Sequence, residues 1–377
     1  MRRLSFFLFT ACVTILASCS GRTGRLAGEG GDTLRLRYAE RLSIVDCGDY
    51  TVATIANPWK PGQTLHTYVL VPSGRELPAD LPEGTVIRTP LRRSVIFTTV
   101  HCALLQMLHR EECIAGVADL KYIKLPYVQE GVRSGRITDC GDGMNPVIEK
   151  IIDLHPDAIF LSPFENSGGY GRLEEIGIPL VECAEYMETS PLGRAEWMRF
   201  YGLLFGEQAQ ADSLFAVVED SYQLLCRQAK ASQAAAPSVL VDKMAGSVWY
   251  VPGGQSTIGQ MLRDAGCRYA WADDERSGSI ALSFETVLER AGDADVWLFR
   301  YDSDRPITYA QLLAEHAGYA QLQPFSHRRV YGCNVRTSQF YEQSPFRPDW
   351  LLADFIRILR PDIRNLPEPR YYKKIED

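Results

Sequence analysis

The sequence has no G-x-S-x-G, no H-E-x-x-H and no G-x-x-x-x-G-K-[ST], so no nucleophile elbow, zincin site or phosphate loop can be read from it. Finger-like cysteine spacings and C-x-x-C are missing as well, which removes the usual signal for a zinc site. Beyond residue 19 the cysteines (Cys47, Cys102, Cys113, Cys140, Cys183, Cys226, Cys267 and Cys333) are scattered, most of them in apolar stretches, and read as buried free thiols acting as small hydrophobes. No basic run offsets the formal charge of −7, so nucleic acid is not an expected partner. Only one long apolar run occurs, at the N-terminus. The rest, in a chain that is 46% hydrophobic and 23% charged, has the composition of a globular protein with a large core and no membrane span.

What is present begins with Arg2 and Arg3 ahead of an apolar run over residues 4–17, too short to span a bilayer comfortably and of the length of a secretory signal. Leu16-Ala17-Ser18-Cys19 follows and resembles a lipobox, after which a lipoprotein is cleaved and its new terminal cysteine acylated. Residues 1–19 are therefore expected to be a lipoprotein signal with Cys19 as the lipidation site. Residues 20–33, rich in glycine, read as a flexible tether. The mature chain exceeds what one core usually holds, so two domains are expected.

Apolar and polar residues alternate between turn signals over residues 33–71, which predicts hairpins leading into the first domain. From Pro90 the pattern changes to strand and helix in turn: strands over 94–98, 114–117, 158–161 and 179–181, helices over 101–108, 148–154 and 173–176. Such alternation predicts a parallel sheet covered by helices on both faces. Pro191 can open a helix that Gly206 interrupts, and spacings of three and four from Ala211 to Leu225 predict a long helix over about 207–232, roughly 37 Å in length. Strand and helix then alternate again: strands over 238–241 and 295–299, helices over 256–265, 284–291 and 348–359. The expected architecture is α/β, with a lobe over 34–190, a helical connector over 191–232 and a second lobe over 237–377, each lobe a mainly parallel sheet, and a ligand cleft between them.

Several stretches together resemble the periplasmic binding proteins for iron chelates and cobalamin, whose lobes are joined by one rigid helix. Residues 92–119 (RRSVIFTTVHCALLQMLHREECIAGVAD) are similar to the opening strand, helix and G-V-x-D strand of that family. Residues 142–160 (DGMNPVIEKIIDLHPDAIF) are similar to its Asn, Glu and L-x-P-D element, and residues 283–298 (SFETVLERAGDADVWL) echo that element in the second half. Arg347-Pro348-Asp349 with the following helix resembles the C-terminus of the family. The resemblance covers most of the mature chain, and the order and spacing of the motifs carry it. It implies the ligand-capturing component of an ABC importer, a monomer that delivers a metal chelate (a ferric siderophore or haem, alternatively cobalamin) to a permease and its ATPase, with no resident cofactor and no catalysis. It also implies a lipid-anchored protein facing the periplasm of a Gram-negative bacterium. The readings of another class are a chelate-modifying enzyme and a surface lipoprotein that does not transport.

Loops at the carboxyl ends of parallel strands line the crevice of an open α/β sheet, and two facing lobes contribute such loops from both sides. On the first lobe these are residues 98–101, 119–124, 141–144 and 163–165; on the second, 247–250, 300–301 and 336–341. A planar, partly apolar chelate calls for aromatic faces and a few polar groups, which selects Thr99, Tyr122, Trp249, Tyr250, Trp271 and Tyr341 as candidates. Neighbouring aromatics on a strand face opposite ways, so at least one of Trp249 and Tyr250 must leave the core. His101 is a candidate iron ligand, although capping the helix that follows is the favoured role. Arg300, Arg336 and Arg347 can pair with ligand carboxylate or catecholate groups. The resemblance assigns Glu149 and Glu285, one per lobe, to docking against permease arginines. Where close cobalamin binders carry an aromatic before the Gly-Met-Asn loop, this sequence has Cys140 and Gly141, whereas Tyr122 matches a tyrosine such proteins use.

Overall fold

The protein is described here from a computed structural model covering residues 31–165 and 169–377; the lipobox with Cys19 lies outside the described residues. Strands β1 (Asp32–Leu34), β2 (Leu42–Asp46), β3 (Thr51–Ala56) and β4 (Thr64–Pro72) form an antiparallel meander, joined by β5 (Thr85–Thr89) running parallel to β4. The hairpins expected over residues 33–71 are present, and the sheet is one strand wider than the alternation predicts.

The first lobe follows as β6 (Ser94–Ile96), α1 (Thr99–Met107), β7 (Ile114–Val117), α2 (Pro126–Arg133), β8 (Thr138–Asp139), the small hairpin β9 (Gly141–Asp142) and β10 (Asn145–Pro146), α3 (Ile148–Asp153), β11 (Ala158–Leu161), α4 (Arg172–Glu175) and β12 (Leu180–Glu182). Its sheet has the order β12-β11-β6-β7-β8, with every pair parallel. Both faces are covered, so β7 and β11 are buried at every residue. Val95, Ile159 and Leu161 pack beneath Ile148 and Ile151 of α3, while Ile96 and Phe160 face the main core on the other side.

Three helices join the halves: α5 (Pro191–Glu196), α6 (Met198–Phe205) and α7 (Gln208–Ala231). Ser190 caps α5 through the Gly193 N–H and Pro191 occupies its first turn. Gly206, at φ 73°, ends α6 in the left-handed region, which glycine enters without steric cost. The 24 residues of α7 extend about 36 Å. Its buried stripe, Ala211, Phe215, Val218, Tyr222, Leu225 and Ala229, recurs at helical spacing and lies in the main core.

The second lobe runs β13 (Ser238–Val241), β14 (Met244–Ala245), β15 (Val248–Pro252), α8 (Thr257–Asp264), β16 (Arg268–Tyr269), β17 (Ser279–Leu282), α9 (Phe284–Ala291), β18 (Val296–Tyr301), α10 (Tyr309–Glu315), α11 (Gln323–Ser326), β19 (Val330–Asn334), α12 (Phe340–Gln343), α13 (Pro348–Leu359) and β20 (Tyr372–Lys374). The sheet order is β16-β13-β18-β19-β20, parallel except for the antiparallel edge β20. A separate antiparallel sheet, β14-β15-β17, lies beside it. One continuous apolar cluster runs from Leu42 to Ile375 through the connector helices, so the α/β halves share a core. All eight cysteines of the described residues are free, five of them buried.

Candidate ligand cleft

The first lobe has a cavity of about 540 Å3 at the carboxyl ends of its strands, lined by Phe97 and Thr98 after β6, Asp119 after β7, Met144 and Asn145 at the β9–β10 turn, and Phe164 after β11. The second lobe has a cavity of about 650 Å3 in the same topological position, lined by Asp242 and Lys243 after β13, Arg300 and Tyr301 at the end of β18, and by Tyr250 and Tyr341. Large side chains ordinarily hidden in a core are exposed in both linings, Met144 and Phe164 on the first lobe and Tyr250 and Tyr341 on the second; Tyr122, on the segment that follows Asp119, is exposed as well.

Strand β15 separates the two expected aromatics. Trp249 is fully buried against Trp297 (ring centroids 5.8 Å), and its Nε1 donates to the Val241 carbonyl at 2.9 Å. Tyr250, next along the strand, turns outward into the cavity and is 46% exposed. Trp249 is thus a core residue, and the same correction applies to Trp271, which is 2% exposed with the Arg290 guanidinium 5.5 Å from its ring.

His101 also lies away from the cleft, at 2% exposure. The cap of α1 is Thr98, whose Oγ1 accepts the His101 N–H, so His101 caps nothing and occupies the third helical position. Its ring bonds Thr98 Oγ1 through Nδ1, while Nε2 shares the Tyr201 hydroxyl at 2.9 Å and lies 3.5 Å from Glu185 Oε2. Tyr201 donates to the same Glu185 oxygen at 2.9 Å. Burial by itself would raise the Glu185 carboxyl, but the electrostatic pull and hydrogen bond of His101, helped by Arg194 and Tyr201, bring it down to about 2. With Cys183 Sγ, the three ligand-type atoms lie within 4.8 Å of one another. Burial pushes the Cys183 thiol well up, and the imidazole and carboxylate already serve Tyr201, so the group is built as a hydrogen-bond network.

Thr99 begins α1 and donates to Glu342 Oε1 of α12 at 3.2 Å, linking the two halves of the chain. Burial raises the Glu342 carboxyl, and its Oε2 has no hydrogen-bond partner among the described residues.

The three arginines expected to meet a ligand are already occupied. Arg300 grips Asp242 with two bonds, Nε–Oδ1 at 3.0 Å and Nη2–Oδ2 at 2.6 Å. Arg336 pairs with Asp302 and Asp304, and Arg347 with Asp349. Asp242, at φ 61°, has no signal in the sequence beyond its place at a strand end. Phe97 and Asn145 were also outside the expected set, although the strand-end rule extended by one residue reaches Phe97.

Glu149 and Glu285 occupy the second position of α3 and of α9, and both are exposed. Each carboxyl is lowered first by a hydrogen bond from its own backbone N–H, then by Arg172 for Glu149 and by Ser283 for Glu285. The two sites therefore match in local geometry, although Arg172 sits 3.1 Å from Glu149 while Glu285 has no ion-pair partner among the described residues.

Residues 98–337 match the model of a family described as periplasmic binding protein. The chain belongs to this family. As a periplasmic binding protein it is a solute-binding component of the ABC transporter class, and its two α/β lobes are those of the family. An uncharacterized lipoprotein of Methanocaldococcus jannaschii is 26% identical over 287 residues, covering 74% of this chain and 67% of its own length. A periplasmic heme binding protein from Pseudomonas aeruginosa superposes with a TM-score of 0.60 at 15% identity, over 76% of this binding protein and 99% of its own chain. The molybdate periplasmic binding protein of a Haemophilus influenzae ABC transporter gives 0.58 at 18% identity, over 75% and 91%. At these identities the solved structures establish the fold. The β1–β5 sheet of this binding protein lies wholly before the segment that the family model matches.

Proposed function

We propose that this protein captures a metal chelate, a ferric siderophore or haem, between its lobes and delivers it to an ABC permease and its ATPase. The observation that carries the reading is the exposure of Met144 and Phe164 in the lining of the first-lobe cavity and of Tyr250 and Tyr341 in that of the second, with the exposed Tyr122 following the lining residue Asp119. Such side chains offer a partly apolar chelate the faces it needs, and hydrogen-bonding groups between them set its orientation. Cobalamin is the alternative chelate, favoured by the exposed Tyr122 ring. Glu149 and Glu285 are the proposed contacts with the permease. Cys19 is the proposed lipid anchor, and the protein is proposed to act as a monomer on the exposed face of the cell envelope. The archaeal source of the lipoprotein relative gives no support to a Gram-negative periplasm, so the proposal keeps only envelope exposure.

Native mass spectrometry of the protein purified from its host, with an absorption spectrum of the same sample, tests this reading. A bound mass that matches a metal complex, released unchanged on denaturation, is the expected result. Conversion of an added chelate to a product of different mass would replace transport with enzymatic turnover.

A further inference from the structure

We infer that the cleft selects chelates carrying no net negative charge. The inference rests on the chelate-binding reading above and narrows it. The second-lobe cavity is walled by three carboxylates and two cations, and the first-lobe cavity by one of each, Asp119 and Arg172. Each of these cations already faces a carboxylate: Arg300 holds both oxygens of Asp242, Lys243 bonds Glu315 and Arg172 bonds Glu149. Outside the linings, Lys121 pairs with Asp142, and Lys124 bonds the Lys121 carbonyl. Among the described residues that line the cavities, positive charge is thus met by carboxylate within salt-bridge distance.

A cation compensated at that range acts on a ligand as a dipole, whose field falls off faster than that of a free charge. An anionic ligand would have to displace a carboxylate to gain a full charge-assisted bond. For Arg300 that strands the half-buried Asp242 without its partner, a costly exchange. Asp302, compensated by Arg336 from outside the lining, likewise acts as a dipole, with its carboxylate end on the cavity wall. A neutral ferric tris-hydroxamate has none of these costs, because its chelating oxygens cancel the charge of the metal and its affinity comes from buried area and hydrogen bonds. A ferric tris-catecholate is trianionic and meets all of them. Haem, with two carboxylates, falls on the same disfavoured side.

Titration calorimetry of the full chain at physiological ionic strength, with a ferric tris-hydroxamate, a ferric tris-catecholate, haem and cyanocobalamin as separate probes, tests the inference. At least one neutral probe is expected to bind about 100-fold more tightly than either anionic probe. In the double variant Asp302→Asn/Asp304→Asn, which frees Arg336, the ratio of affinities should move about tenfold toward the catecholate. Equal or tighter binding of an anionic probe by the unsubstituted protein overturns the charge inference and leaves chelate capture standing. Failure of all four probes overturns chelate capture itself, and the inference with it.

Discussion

Thr99 Oγ1, at the start of the helix that opens the first lobe, lies 3.2 Å from Glu342 Oε1 on a helix of the second. The bond joins residues 243 positions apart in the sequence, at a place where Phe346 of the second half also packs edge-on to His101 and Tyr201 of the first. The junction between the lobes is therefore made by this clasp as well as by the connector helices.

Glu342 gives the clasp a dependence on pH. Burial raises its carboxyl above the ordinary value, so the folded protein binds a proton there more readily than the unfolded chain. The contribution is fully present below the ordinary carboxylate range and is lost as pH rises through the raised value. Glu342→Gln should keep the acceptor for Thr99 and remove the ionisation, raising Tm at pH 7 by about 1–3 °C. Scanning calorimetry should show the gain vanish near pH 4; a gain that persists there would mean the effect is not ionisation.

Glu185 has the opposite sign. Its carboxyl is lowered to about 2, so its stabilisation is present above the ordinary carboxylate range and lost as pH falls through about 2. Glu185→Gln leaves His101 and Tyr201 without their charged partner and should cost about 3–5 kcal/mol in urea unfolding at pH 7. The variant should also lose part of the acid sensitivity of the wild type between pH 4.5 and 2. Equal stability of the two proteins at pH 7 would show that the network contributes little.

The paired aromatics of β15 separate binding from folding. Tyr250→Ala with Tyr341→Ala removes two exposed rings at the second-lobe cavity and should weaken chelate binding by about 1–3 kcal/mol with Tm nearly unchanged. Trp249→Ala opens a cavity in a packed aromatic cluster and should cost about 3–5 kcal/mol of stability. Calorimetry and thermal melts on the two variants check both. A large loss of stability from the tyrosine pair would place those rings in the core.

Charge reversal at Glu149 and Glu285 tests docking. The double Lys variant should abolish uptake in vesicles reconstituted with the permease, because like charges across an interface cost several kcal/mol, and each single reversal should give a partial loss. Affinity of the free protein for a neutral chelate should hold, since neither side chain lines a cavity. Because Glu149 also pairs with Arg172, Glu149→Gln serves as a control that removes the ion pair without reversing the charge. Normal transport by the double variant would remove both glutamates from the permease contact.

The regular elements were largely legible in the sequence because their signals are local. The strand over Ala158–Leu161 is a short apolar run between turns, and the helix Pro348–Leu359 announces itself by its first-turn proline and its spacing. Which aromatics reach the cleft was only half legible. Alternation along a strand says that Trp249 and Tyr250 part company; which one faces inward depends on the residues of β18 and Tyr319 packed beneath them. The pairing of Arg300 with Asp242 was out of reach for the same reason, since 58 residues separate two side chains that the ends of neighbouring strands bring together. Where the partner is far along the chain, the residue type alone cannot tell a binding arginine from an occupied one.

One joint in the fold combines side-chain contacts of Arg37, Tyr38 and Arg41 with a row of main-chain bonds. The buried Glu196 carboxylate accepts the N–H groups of Arg37, Tyr38 and Ala39 at 2.8 to 3.0 Å, and Glu188 accepts those of Glu40 and Arg41. A carboxylate that reads N–H groups is blind to the side chains that carry them. Proline, which has no N–H, is the residue this joint cannot accept at 37–41. The attachment of this segment is thus fixed on one side by two carboxylates and on the other by main chain, so a side-chain substitution at Ala39 or Glu40 leaves the bonds to Glu196 and Glu188 in place.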